Sequence, residues 1–204
     1  MKRLTAWLSG ALIALSFLAA SAVAQQPLKI GFGMSLTGPL AGNGKAALIA
    51  MQIWQEDVNA KGGILGRKVE FVYYDDQTNP STVPSIYSKL LDVDKVDLVV
   101  SGYGTNVIAP AMPIMMQRNV TFMGLFGLNV NSKFNYERYF QIMPSGPEPA
   151  IGWTQGYFDT AMGLNPKPQT IALVGADAEY PALALQGARE QVKRTGLKVV
   201  YDKT

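Results

Sequence analysis

Val96-Asp97-Leu98-Val99-Val100-Ser101-Gly102-Tyr103-Gly104-Thr105-Asn106-Val107 is the stretch that decides the fold class. Val96 to Ser101 reads as a buried strand, short, rich in branched residues and closed by glycine. Gly102 and Gly104 let the backbone turn tightly and approach a ligand. Thr105 and Asn106 are capping residue types, and Val107 opens an apolar helical run that tolerates Pro110 near its first turn. A strand, a glycine turn and a helix start together aim free N–H groups and a positive dipole end beyond the strand's carboxyl end. Open parallel sheets bind ligands there. No purine-nucleotide signature accompanies the turn, so the expected anion is a small carboxylate. An ordinary strand-to-helix turn of an α/β protein is the alternative these residues leave open.

Strands and helices alternate on either side of this stretch. Leu28 to Met34 predicts a first strand, and residues 35–44 a turn-rich loop. A helix is expected from about Lys45 to Ala60, with Ala47, Ala50, Met51, Trp54 and Val58 forming its core-facing stripe. Paired glycines, Gly62 and Gly63, end it. Lys68 to Asp75 alternates as a second strand, and Ser81 to Val93 predicts a second helix. Val120 to Phe126 reads as the fourth strand, ending in Phe126-Gly127-Leu128. Such a pattern predicts a doubly wound parallel sheet with helices on both faces. Right-handed crossovers then gather loops 35–43, 102–106 and 126–129 around one crevice, although they are far apart in sequence.

Beyond Asn129 the character changes. Tyr139 to Met143 predicts a short strand, and Ser145-Gly146-Pro147-Glu148-Pro149 is too rich in proline to continue one. It marks the crossing from a first α/β lobe, residues 25–145, into a second, residues 146–204. That second lobe is expected to hold a helix from about Ala150, a strand from Thr170, a loop Asp177-Ala178-Glu179-Tyr180-Pro181, a further helix and a last strand, Leu197 to Tyr201. A lobe that has only begun by Thr204 cannot close its own core, which points to a longer protein.

The amino terminus carries Lys2 and Arg3, an apolar run to about Ala20, and the small-x-small pattern Ala22-Val23-Ala24. This is the pattern of a secretory signal peptide, residues 1–24, cleaved before Gln25. Its removal turns 18 basic residues into 16 against 15 acidic ones, near neutrality. No segment interleaves basic and aromatic residues, so nucleic acid is not the expected partner. Histidine and cysteine are absent. That excludes Ser-His and Cys-His catalysis, thiolate chemistry and the usual zinc sites, and an exported chain without cysteine needs no disulfide. No cofactor is implied.

Three motifs mislead. Gly38 to Lys45 suggests a P-loop, but five residues separate Gly38 from Gly44 and Ala46 offers no hydroxyl to magnesium. Gly31-Phe32-Gly33 lacks the third glycine of a dinucleotide fingerprint. Asp75-Asp76 invites an acid–base or metal reading, whereas adjacent carboxylates at a strand end are expected to be solvated loop residues.

Gly31-Phe32-Gly33-Met34-Ser35-Leu36-Thr37-Gly38-Pro39, then Val58-Asn59-Ala60-Lys61-Gly62-Gly63-Ile64-Leu65-Gly66-Arg67, Asp75-Asp76-Gln77-Thr78-Asn79-Pro80 and Gly102-Tyr103-Gly104-Thr105 form an ordered series. Through it, residues 27–204 resemble the periplasmic solute-binding proteins of branched-chain amino-acid ABC transporters, the Leu/Ile/Val-binding family. The resemblance implies a type I periplasmic binding protein fold, two α/β lobes joined by a three-stranded hinge, and a full length near twice that shown. It implies no enzyme but a monomeric capture protein that closes on a small carboxylate and delivers it to membrane permease subunits. A ligand-sensing domain of the same fold is the alternative. The family's carboxylate site maps to Thr105, with Tyr103, Gly104 and Asn106 beside it. Its second cluster maps to Phe126, Gly127 and Leu128, where Leu128 replaces a threonine hydroxyl. Asn43 aligns where some relatives place an aromatic, and Tyr180 with the second lobe's tyrosine. These departures suit an aromatic or aliphatic acid, with a branched-chain amino acid as the default.

Overall fold

A computed structural model describes residues 25–143 and 146–204; the expected signal peptide lies outside them. Five strands form one parallel sheet: β1 (Leu28–Met34), β2 (Val69–Asp75), β3 (Leu98–Val100), β4 (Phe122–Gly124) and β5 (Tyr139–Gln141), in the order β2-β1-β3-β4-β5. The register runs Ile30 opposite Phe71 and Leu98, Val99 opposite Phe122, and Phe122 opposite Tyr139. Strand order reverses between β1 and β3, the switch point at which a crevice opens beyond the carboxyl ends. The α/β, doubly wound reading of the sequence is what the structure shows.

The connecting helices are α1 (Ala41–Ala60), α2 (Val83–Asp92), α3 (Thr105–Ile108), a 3-10 turn (Ala109–Ala111), α4 (Met112–Arg118) and α5 (Asn131–Phe134). Pro110 lies in the 3-10 turn, where tighter winding accommodates its missing N–H between α3 and α4. On one face of the sheet Val83, Tyr87 and Leu90 of α2 meet Ile108, Met112 and Met115, closing over Val99, Phe122 and Tyr139. Tyr87 packs edge-on against Phe122 at 5.5 Å, and its hydroxyl donates to Val100 O at 2.8 Å.

On the other face lies α1, which begins four residues earlier than the sequence suggests. Gly44, expected in the loop, is its fully buried residue: a Cβ there would stand 2.0 Å from Ser35 O. That approach requires glycine, so two glycines near a helix start signal packing here rather than a loop. The expected core stripe of α1 is only partly enclosed. Trp54 stacks on Phe71 at 6.1 Å yet stays 43% exposed, and with Met51, Ile30 and Val100 it borders an apolar hollow of about 330 Å³.

The chain then enters a smaller unit: α6 (Pro149–Met162), β6 (Thr170–Val174), α7 (Glu179–Thr195) and β7 (Lys198–Lys203), with β6 and β7 parallel. Phe158, Leu173, Leu185, Val192 and Leu197 form its own core. α6 and α7 approach closely, since a Cβ on Gly187 would stand 2.0 Å from Ala150 O. Among the described residues no helix is long and apolar enough to cross a membrane.

Candidate functional site

The loops after β1, β3 and β4 meet at one edge of the larger sheet, and buried hydroxyls pin them together. Ser101 Oγ donates to Gly102 O and accepts from Leu125 N, both at 2.8 Å. Gly104 then takes φ +111°, ψ +150°, a backbone state open to glycine, and stands as the N-cap of α3. Val107 N and Ile108 N both donate to its carbonyl at 3.1 Å. The first amides of the run, at Thr105 and Asn106, are those a helix start leaves without an intrahelical acceptor.

Neither Thr105 nor Asn106 caps the helix, contrary to expectation, because α3 already starts at Thr105 and no side chain bonds across its end. The Thr105 hydroxyl instead accepts from Leu128 N at 3.0 Å and is buried. Accepting leaves its single hydrogen available to donate. Leu128 reaches the corner with its amide, since its side chain is wholly buried. Gly127 is backed against Ile108 and Val130, which would each lie 2.9 Å from a Cβ there.

Aromatic rings stand over this corner. Tyr103 and Phe126 lie 4.8 Å apart, tilted by 33°, and Phe126 is 37% exposed. Asn43, placed in the first turn of α1 rather than in a loop, donates from Nδ2 to Tyr103 Oη at 3.2 Å. Tyr180 likewise sits in the first turn of α7 and not in the preceding loop; Pro181 follows where a helix start tolerates proline. Burial pushes the Tyr180 phenol up, and the nearby Tyr103 adds to the shift. The smaller unit thus brings Tyr180 to Tyr103, while Glu179 pairs with Lys133 of α5 at 3.3 Å. Trp153 of α6 meets Tyr180 edge-on at 6.1 Å. The structure therefore brings Asn43, Tyr103 and Phe126 together on the loops that carry Gly104, Thr105 and Leu128, with Tyr180 of α7 near Tyr103. Asn106 is half-buried beside them.

The expectation of a solvated Asp75-Asp76 pair is overturned. Asp75 Oδ1 accepts from the Leu36, Thr37 and Gln77 amides at 3.0, 3.1 and 2.8 Å, and its Oδ2 accepts from Thr37 Oγ1 at 2.7 Å. Partial burial pushes its carboxyl up, but the Thr37 hydroxyl and these amides outweigh that and hold it below the usual range. Asp76 is 1% exposed. These carboxylates build the floor of the first loop. Asp76 and Trp153 are the residues that sequence reasoning missed. A polar residue closing an apolar strand beside glycine-rich loops was the available signal for Asp76, and nothing local marked Trp153.

Among the described residues no group of three or more acidic, histidine or cysteine side chains could hold a metal ion. A hollow of about 380 Å³ between Asn129, Asn131, Gln141 and Pro149 begins at the residues that follow Leu128, where the chain leaves the larger sheet.

Comparison with known proteins agrees with the geometry. The profile of the periplasmic binding protein family matches residues 27–204. The Leu/Ile/Val-binding protein of Escherichia coli K12 is 25% identical over 178 residues, 87% of this chain and 40% of that protein. Two solved structures share the fold, each covering 87% of this chain. The branched-chain amino acid transporter substrate binding protein LivJ of Streptococcus pneumoniae, in complex with isoleucine, has a TM-score of 0.69 at 20% identity over 49% of its own length. A solute binding protein of an ABC transporter from Rhodopseudomonas palustris, in complex with 3,4-dihydroxybenzoic acid, has a TM-score of 0.69 at 19% identity over 47% of its length. This chain spans about half the length of those proteins or less. With its parallel doubly wound sheet, its switch-point crevice and this match over residues 27–204, the chain belongs to the periplasmic binding protein family.

Proposed function

We propose that this chain contributes the ligand-gripping part of a periplasmic substrate-binding protein, which captures a small carboxylate between two lobes and hands it to the permease of an ABC importer. The larger unit is lobe one, and the unit from α6 onward begins lobe two. The observation that carries the reading is the convergence of the 102–106 and 126–128 loops on one corner, with Tyr180 of the second unit near Tyr103. The ligand carboxylate accepts from the Thr105 and Asn106 amides and from the Thr105 hydroxyl. The work is binding, not catalysis, and the chain is exported through residues 1–24.

For ligand class, the names of the relatives point to branched-chain amino acids, and the rings point to a flat body. Tyr103 and Phe126 offer a face and an edge to an aromatic acid, and Asn43 with the two phenols offers polar contacts at its rim. The dihydroxybenzoate-bound relative supports that choice.

Isothermal titration of the full-length protein with leucine, isoleucine, benzoate and 3,4-dihydroxybenzoate tests the reading. Aromatic acids binding at least tenfold more tightly than leucine is the expected result. Tight leucine binding without a response to the acids removes the aromatic assignment and keeps the capture role. Uptake that survives deletion of the permease partner removes the transport role in favour of sensing.

A further inference from the structure

Beneath the glycine turn lies a carboxyl group whose surroundings are lopsided. Asp76 Oδ1 accepts from Ser35 Oγ at 2.7 Å and from Thr78 N at 2.8 Å. Its Oδ2 is buried and has no hydrogen-bond partner among the described residues. That oxygen lies 2.9 Å from where a Cβ on Gly102 would stand, and 3.7 Å from the equivalent point on Gly33. An ionised carboxylate asks for donors on both oxygens, and one left bare in a buried site is costly; a neutral acid needs far less.

The charges around it act the same way. Asp75, its chain neighbour, is the ionised group beside it, and Tyr87 of α2 faces it as a neutral phenol. Burial pushes the Asp76 carboxyl above the ordinary aspartate value; the Ser35 and Thr78 donors oppose this, and the Asp75 charge adds to it.

We propose that Asp76 is held as a neutral carboxylic acid under residues 102–105 and serves as a positioning residue for the ligand corner, so that its ionisation loosens that corner. Ionised, Oδ2 must draw in water or a donor, and the adjoining space, where a Cβ on Gly102 would stand, is hemmed by Gly33 O and Val107, so Gly102 must give way. Displacing Gly102 moves Gly104 and Thr105, which follow directly on the same turn. The naming of that corner as the ligand's rests on the function proposed above; the protonation state does not.

The sign follows from linkage. A carboxyl raised in the folded state contributes stability at pH below its unfolded value and loses that contribution as pH rises through the folded value. Asp76→Asn keeps the shape and the Oδ1 acceptor while fixing neutrality. In the full-length protein the variant's Tm is expected to track wild type near pH 4 and to exceed it by about 2–4 °C near pH 8. A lower Tm for the variant across that range overturns the proposal, because it makes the ionised carboxylate an anchor. Should the variant not fold, infrared spectroscopy of wild type carrying isotope-labelled aspartate decides at about pH 5, where an ordinary aspartate is ionised. A protonated-carboxyl stretch supports the proposal, and its absence overturns it. For the positioning role, wild-type affinity for 3,4-dihydroxybenzoate or leucine falls as pH rises above the ordinary aspartate value while the variant's stays level; parallel profiles overturn that role. Binding of neither probe strikes the function proposed above and leaves the protonation test intact.

Discussion

The two faces of the five-stranded sheet are built by the same short strands and end differently. Phe122 is wholly buried and its chain neighbour Met123 is 38% exposed; Tyr139 is 7% exposed and Phe140 54%. Successive residues point to opposite faces, so each strand must supply both. α2 and α4 close one face into a core. Among the described residues, α1 covers only the β1–β2 end of the other, through Trp54 on Phe71 and Phe71 on Phe32, and Leu98, Met123 and Phe140 stay exposed. Apolar composition on a strand therefore records what a face is suited to bury, and the covering elements decide which of it is enclosed.

Substitutions separate the two faces. The largest effect is expected for Phe122→Ala, which opens a cavity between Tyr87 and Tyr139 and should cost about 3–5 kcal/mol in urea unfolding. A cost near that of Phe140→Ala would erase the distinction. Thr105→Val leaves the Leu128 amide without its acceptor and should cost about 1–3 kcal/mol, with loss of carboxylate binding by titration. Unchanged stability would mean that the two loops are held by Ser101 alone. Tyr139→Phe works the other way. Its hydroxyl is buried with no partner among the described residues, so removing it should raise stability by about 1 kcal/mol. A loss instead would imply a bound water under Gly124. The smallest effect is expected for Phe140→Ser, within about 0.5 kcal/mol, accompanied by less self-association in light scattering. A large destabilisation would show that something covers this face in solution.

Much of the architecture was legible because these parallel strands read as branched and aromatic runs. β1 begins and ends, and β6 begins, where their residues predict. Helix starts were harder. Gly42 and Gly44 look like a loop until Ser35 O is seen pressed against Gly44, a contact 9 residues away in sequence that no local pattern encodes. Thr105 looked like a cap for the opposite reason, since its residue type suits capping while its actual partner lies 23 residues on, at Leu128. β4 is shorter than its apolar run because Leu125 leaves the ladder for Ser101 Oγ. The position of Tyr103 and Phe126 at one corner followed from topology alone, but the approach of Tyr180 depends on how the two units pack. Asp76 was misread because burial of a carboxyl is set by the loops that fold over it.

One consequence of the Trp153–Tyr180 contact is optical. Trp54 and Trp153 are the indoles among the described residues, and they sit in unlike places: one stacked on Phe71 beneath α1, the other edge-on to the ring that faces Tyr103. Replacing Trp54 by phenylalanine leaves Trp153 as the one indole among the described residues, next to the crevice, a fluorescent gauge of anything that shifts Tyr180.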